Sequence, residues 1–198
     1  MPTTAFDQEL LDANLLGATT LEELHQKEKR ITNARIIALQ KEPISGQLDY
    51  AHLKKIHAFL FSDIYIWAGK DRYEAGISAV FGKGATLFTA HDRLPSVSKM
   101  LFAALRDEAY FEGLEAQAFA VSAAVFMNGL NILHPFREGN GRVQRLFMGY
   151  VARKAGFVLD FTRITEQEML KASIEGARGD LTRMKQLFLK AQTQEYLQ

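Results

Sequence analysis

His134, Glu138, Arg142 and Arg145 fall within one short stretch, Leu133 to Arg145, "LHPFREGNGRVQR". An imidazole titrates near neutrality and suits a general base. A carboxylate can hold Mg²⁺, which commonly takes one or two carboxylates together with phosphate oxygens. Arginines three apart on a helix project from one side of it. Gly139, Asn140 and Gly141 stand between the acid and the arginines. The glycines permit positive φ and a close backbone approach to a ligand. A helix starting near Asn140 to Arg142 would offer unsatisfied amides and the positive end of its dipole to an anion. Glu138 would repel a phosphate directly, so it makes chemical sense only with a Mg²⁺ between the two. A base, a metal-binding acid and a polyphosphate cradle together describe displacement at phosphorus by a hydroxyl.

Each residue also has a plainer explanation. A histidine at a helix end is more often structural, Asn-Gly is commonly a turn, and helix arginines are commonly solvated or salt-bridged. An acid at a helix start is electrostatically favoured whatever its role. What distinguishes the stretch is that all its residues converge on one chemistry. Phe136 is expected to anchor the loop.

The flanking sequence supplies the supports. From Glu115 to Asn131 the chain is apolar nearly all round, as in a central buried helix. After the stretch, Val143, Leu146, Phe147, Tyr150 and Val151 recur at helical spacing. Arg153 and Lys154 then close a helix before Gly156. Upstream, "TLEE" (Thr20 to Glu23) reads as a capping box for a helix to about Gln40. Asp49 caps a helix expected to end near Trp67 to Gly69. The Gly-containing segment Arg72 to Phe88 reads as a β-hairpin with its turn at "FGKG" (Phe81 to Gly84). Pro95 opens a helix with Val97, Met100, Leu101 and Leu105 inward. Thr165 to Glu168 is a second capping box. Asp180 caps a last helix with Leu181, Met184, Leu187 and Phe188 inward. The expected fold is mainly α, a helical bundle around a central buried helix with one small hairpin.

The chain has 198 residues, 47% hydrophobic and 24% charged, with a formal net charge of +1. One domain over 1–198 is expected, with a core over about 48–189 and a helical extension over about 8–40. The charge gives no support to direct nucleic-acid binding. There is no cysteine, which excludes disulfides and thiolate chemistry. No window approaches the roughly 20 apolar residues of a membrane span, and the start, "MPTTAFDQELLDANLL", lacks signal-peptide character. A bacterial cytoplasmic location is expected, or secretion into a host cell through a machine that needs no cleavable signal.

"HPFREGNGRVQR" resembles the motif of the Fic (filamentation induced by cAMP) family, H-x-F-x-[D/E]-G-N-[G/K]-R-x-x-R, at every specified position. "IHAFLFSDIYIWAG" (Ile56 to Gly69) is similar to the family's pre-flap segment. The resemblance implies the Fic fold and protein adenylylation, in which ATP donates AMP to a Ser, Thr or Tyr hydroxyl of a target protein. It implies His134 as the base, Glu138 as the Mg²⁺ residue, and Gly139, Asn140 and Gly141 as the lining of the phosphate site. Arg142 and Arg145 would hold the β- and γ-phosphates. Gly141, where some relatives carry Lys, favours AMP transfer over phosphotransfer. The hairpin, a flap at about 75–88, would bind the target by strand addition.

Many Fic proteins carry an inhibitory helix, [S/T]-x-x-x-E-[G/N]. "TTLEEL" (Thr19 to Leu24, with Glu23) and "TRITEQ" (Thr162 to Gln167, with Glu166) both miss its last position. The expectation is therefore a toxin restrained by a separate small antitoxin that carries the inhibitory helix. The ATPase subunit of a type II topoisomerase is its target by analogy. The alternatives are a host-directed effector module with the same chemistry, or a nucleotide-binding regulatory protein with little catalysis.

Overall fold

The computed structural model describes residues 4–83 and 86–193. The chain is mainly helical, as expected. Helices α1 (Ala5–Asp12), α2 (Leu21–Lys41) and α3 (Tyr50–Phe61) come first. An antiparallel hairpin follows, formed by β1 (Gly82–Lys83) and β2 (Thr86–Leu87). Helices α4 (Leu94–Asp107), α5 (Ala116–Leu133), α6 (Asn140–Lys154), α7 (Glu166–Ala177) and α8 (Thr182–Ala191) complete the chain.

Helix α5 is the centre of the molecule. It buries Phe119, Ala120, Ala123, Ala124, Phe126, Met127, Leu130 and Leu133, and α4, α6, α7 and α8 all pack on it. By length and composition alone α5 could cross a membrane. Here 44% of it is buried against neighbouring helices, while Val121, Val125 and Ile132 stay exposed, so the helix is less completely covered than its apolar circumference suggested. The predicted caps form at Asp49, whose carboxylate accepts from the His52 amide at 2.8 Å, and at Thr165 with Glu168, a complete capping box. At Thr20 only half the box forms. The hydroxyl caps the Glu23 amide, but the Glu23 carboxylate accepts from Thr19 instead. Asp180 is not the cap expected: Leu181 is the N-cap of α8, without a side-chain cap, and Asp180 stands one residue ahead of it, accepting from the Thr182 amide at 2.9 Å.

Three local expectations are corrected. Helix α3 stops at Phe61, not near Trp67 to Gly69. The next backbone groups are spent elsewhere: the Leu15 amide donates to the Ile64 carbonyl and the Ile66 amide to Ala13, tying this segment to the α1–α2 connection. The hairpin turn is also displaced. Gly82 and Lys83 pair with Leu87 and Thr86, so part of "FGKG" is strand and the connection at 84–85 lies outside the described residues. On α4, Met100 is 72% exposed. The buried face runs through Leu94, Ser98, Phe102 and Leu105, with Val97 and Leu101 at its margin.

His57, on α3, joins this scaffold to the motif loop. Its Nδ1 accepts from the Gly69 amide at 2.8 Å, so Nε2 carries the proton and donates to the Glu138 carbonyl at 3.2 Å. The ring stacks on Phe136 at 3.9 Å and 14°. Burial pushes its pKa down to about 3, with the Arg142 charge acting in the same direction. An unfolded histidine takes a proton below about 6.5. Between that pH and about 3, therefore, the unfolded chain binds a proton that the folded protein refuses, and stability falls as pH falls. Melting temperature is expected to drop between pH 7 and pH 5, with His57 contributing up to about 1.4 kcal/mol per pH unit. In His57→Gln the same drop should be visibly smaller. An unchanged drop would show that His57 titrates alike in both states.

Candidate active site

The motif loop joins α5 to α6 and is closed by its own side chains. The Phe136 amide donates to Asn140 Oδ1 at 2.9 Å, and Asn140 Nδ2 donates back to the Phe136 carbonyl at 2.7 Å. Phe136 is buried at 1% exposure, the anchor its type suggested. Because the Asn140 side chain is committed to the loop, what it offers outward is its backbone N–H. Gly139 has φ +80° and caps α6. A Cβ there would sit 2.3 Å from the Phe61 ring, so both conformation and space demand glycine.

His134 caps α5 in the left-handed region, φ 42° and ψ 60°. Its amide donates to the Leu130 carbonyl at 3.0 Å. Its imidazole lies flat against Phe88, ring centres 3.7 Å apart and planes 1° from parallel. The last carbonyls of a helix lack intrahelical donors, and here Arg72 supplies them. Its Nε donates to His134 at 2.9 Å and its Nη2 to Leu133 at 3.4 Å and to Thr89 at 2.6 Å. Arg72 is buried at 1% exposure, and a cation at a helix C-terminus is favoured by the dipole.

At the other end of the loop, the Arg142 and Val143 amides donate to the Gly139 carbonyl. The Asn140 and Gly141 amides therefore face the open end of α6. Glu138 accepts from the Gly139 amide through Oε1 at 2.7 Å, and the same oxygen lies 3.5 Å from Arg142 Nη2. Its side chain is 40% exposed.

Arg142 is engaged within the chain. Its Nη2 donates to Glu28 at 2.5 Å, its Nη1 donates to Thr32 at 3.3 Å, and its guanidinium lies over the Phe61 ring. Glu28, on α2, is buried and also accepts from the Tyr65 hydroxyl. Burial and the Glu28 charge push the Tyr65 phenol well above its ordinary pKa. Arg145, by contrast, makes no ion pair among the described residues. Its pKa is lowered by burial and by the neighbouring Arg142 charge, with Glu166 partly offsetting the loss. A Cβ on Gly141 would meet Arg145 Nη1 at 3.3 Å, so this guanidinium crosses the first turn of α6. A cavity of about 230 Å³, bounded by Ile36, Leu39, Leu146, Tyr150 and Phe161, has both arginines in its wall. A larger cavity, about 640 Å³ and lined by α3 and α4 residues, touches none of the loop.

The model of the Fic/DOC family matches residues 47–152. The chain belongs to the Fic/DOC family. Protein adenylyltransferase VbhT of Bartonella schoenbuchensis is 38% identical over 181 residues, covering 91% of this chain and 37% of that protein. The probable protein adenylyltransferase Fic of Escherichia coli is 33% identical over 177 residues, covering 89% and 85%. The crystal structure of BepC, a VirB-translocated effector of Bartonella tribocorum with bound AMPPNP, matches with TM-score 0.84 at 31% identity over 91% of each chain. The chain thus spans little more than a third of the length of VbhT.

In this Fic protein the loop brings His134, Glu138, Gly139, Asn140, Gly141, Arg142 and Arg145 together, but the side chains that hold them come from elsewhere. The sequence reading missed Arg72, Glu28, His57 and Phe88, all distant along the chain. The one available signal was charge on a helical face: Glu28 lies four residues before Thr32 on α2, and both point at Arg142. Glu23, in the first near-match to the inhibitory pattern, pairs with Lys27 at 2.7 Å.

Glu28 and Arg142 should behave as a unit. Glu28→Gln is expected to lower unfolding stability by about 2 kcal/mol, because it leaves a largely buried guanidinium with only the longer, more exposed contact to Glu138. Adding Arg142→Gln should then cost little more. Strictly additive losses in denaturant titrations would show that the pair is not coupled.

Proposed function

We propose that this chain transfers AMP from ATP to a Ser, Thr or Tyr hydroxyl of a target protein and releases pyrophosphate. The observation that carries the proposal is Arg145. It is a partly buried cation without an ion pair among the described residues, beside the open N-terminus of a long helix and on the same loop as His134. A cation in that position is stabilised by a bound anion. The adenylyltransferase names of the relatives and the AMPPNP bound to BepC support ATP as that anion.

In this proposal His134 takes the proton from the target hydroxyl as its oxygen attacks the α-phosphorus. The bond from that phosphorus to the bridging oxygen breaks, and the pyrophosphate leaves. Gly139, Asn140 and Gly141 line the phosphate site, the last two offering their backbone amides, with Arg142 and Arg145 on the β- and γ-phosphates. Orientation and charge neutralisation supply most of the acceleration. Glu138 fits a Mg²⁺ site of the type completed by phosphate oxygens, since one of its oxygens is tied to the Gly139 amide while the side chain remains partly exposed. The described residues hold no cluster of three or more potential ligands, which suits such a site better than an all-protein one. Bound there, Mg²⁺ would offset phosphate charge.

The target strand would add to the flap, where Val80 and Leu87 are 86% and 72% exposed beside very short strands. The type II topoisomerase ATPase subunit is the first target to try, and a small antitoxin the expected restraint. A second reading, a host-directed effector with the same chemistry, is favoured by the translocated effectors among the structural neighbours. Incubation with ATP labelled at the α- or γ-phosphate, in bacterial and in host-cell lysates, tests both. Only the α label should reach protein, and His134→Ala should reduce transfer by roughly 100-fold or more. Transfer of the γ label would overturn AMP transfer, and the lysate that labels separates toxin from effector. Nucleotide binding with no pyrophosphate release in either lysate would favour a regulatory protein.

A further inference from the structure

We propose that Phe88 positions the base. It holds the His134 imidazole in line for the target hydroxyl and stabilises the imidazolium that forms when the proton arrives. The inference rests on reading His134 as the base.

The geometry is a parallel stack, centres 3.7 Å apart and planes 1° from parallel. Such a contact covers one face of the imidazole and leaves Phe88 clear of the plane in which the ring nitrogens make hydrogen bonds. It also restricts rotation of a side chain whose backbone already sits in the left-handed region. The face of a phenyl ring is electronegative, so it attracts a cation more strongly than a neutral ring. The contact therefore strengthens as His134 gains its proton, and an interaction stronger in the transition state than in the ground state raises kcat.

Phe88 is itself fixed. Its amide donates to the Phe81 carbonyl at 3.0 Å. The adjacent Thr89 donates to the Ile132 carbonyl through its amide at 2.9 Å and its hydroxyl at 3.1 Å. Arg72 then ties the two partners together, since one guanidinium donates to Thr89, next to the stacking ring, and to His134, which bears the base. The stacking ring follows directly on β2, whose last residue is Leu87. A target strand pairing with β2 would thus act on the residue adjoining the ring that aligns the base.

Phe88→Leu keeps apolar cover and removes the aromatic face; Phe88→Tyr restores the face. Phe88 lies on the flap, away from the central core, so both variants should fold, which circular dichroism would verify. The first readout needs no activity. In nuclear magnetic resonance spectra the His134 ring protons should show an upfield ring-current shift, present in the wild type and in Phe88→Tyr and lost in Phe88→Leu. The second is kinetic: Phe88→Leu should lower kcat for AMP transfer roughly tenfold with KM for ATP within about twofold, and Phe88→Tyr should recover most of the loss. Ring protons at ordinary positions in the wild type, or a wild-type kcat in Phe88→Leu, would overturn the proposal. If His134→Ala retained AMP transfer while the ring-current shift was present, the base assignment would fail although the stack itself existed.

Discussion

The site hangs on the two-way hydrogen bond between the Asn140 side chain and the Phe136 backbone. Helices α5 and α6 both turn a buried face to the core, and the few residues joining them must reverse the chain without leaving polar groups stranded. Asn140 satisfies the Phe136 amide and carbonyl together, which places the loop's apolar anchor on His57 and turns the α6 N-terminus outward. The left-handed conformations at His134 and Gly139 follow from that reversal. At Gly139 the Phe61 ring removes any room for a side chain. At His134 no glycine is possible if a base is to stand there, and the residue at positive φ is held by the Phe88 stack on its ring and by Arg72 on its carbonyl.

Buried cations do the rest of the positioning, each with a different kind of partner. Arg72 donates through Nε and Nη2 to carbonyls at the end of α5 and at Thr89. Arg137, buried within the loop, donates to Glu9 and to the Phe6 carbonyl and lies over the Phe6 ring at 3.3 Å. Arg142 has Glu28. Arg145 has neither an acid within salt-bridge distance among the described residues nor the carbonyl partners of Arg72, and it lies next to another guanidinium. That asymmetry leaves the positive potential at the mouth of α6, where an anion is chemically useful. Carboxylates on both arginines would have neutralised the cradle.

How much of this was legible depends on whether the cause was local. The α5–loop–α6 unit was readable because its signals are adjacent: an apolar helix, then Gly-Asn-Gly, then helical periodicity. The motif residues were readable for the same reason. The end of α3 was not, because Ile64 and Ile66 give their backbone groups to Ala13 and Leu15, about fifty residues away, and helical propensity says nothing of such a partner. The displaced hairpin turn reflects register, which pairs Gly82 with Leu87; glycine content alone made "FGKG" look like the turn. Met100 was placed inward by a periodicity that fits two adjacent faces of α4, and tertiary packing chose the one through Ser98 and Phe102. Nothing in the local sequence marks Arg72 or Glu28, and only the fold turns them inward.

The matched family segment, residues 47–152, therefore does not contain everything that holds its own arginines. Glu28 on α2 and Glu9 with Phe6 on α1 lie before it, and they reach Arg142 and Arg137 respectively. A change on either N-terminal helix can thus alter the loop without touching the motif. Removing Glu28 would leave Arg142 with only the longer contact to Glu138 and raise the positive potential of the cradle, at the expense of a fixed geometry. Orientation and charge pull in opposite directions there. Because Arg142 is also held by Thr32 and by the face of Phe61, geometry is the better protected of the two. The motif supplies the chemistry, and helices outside the matched segment set how rigidly its arginines are presented.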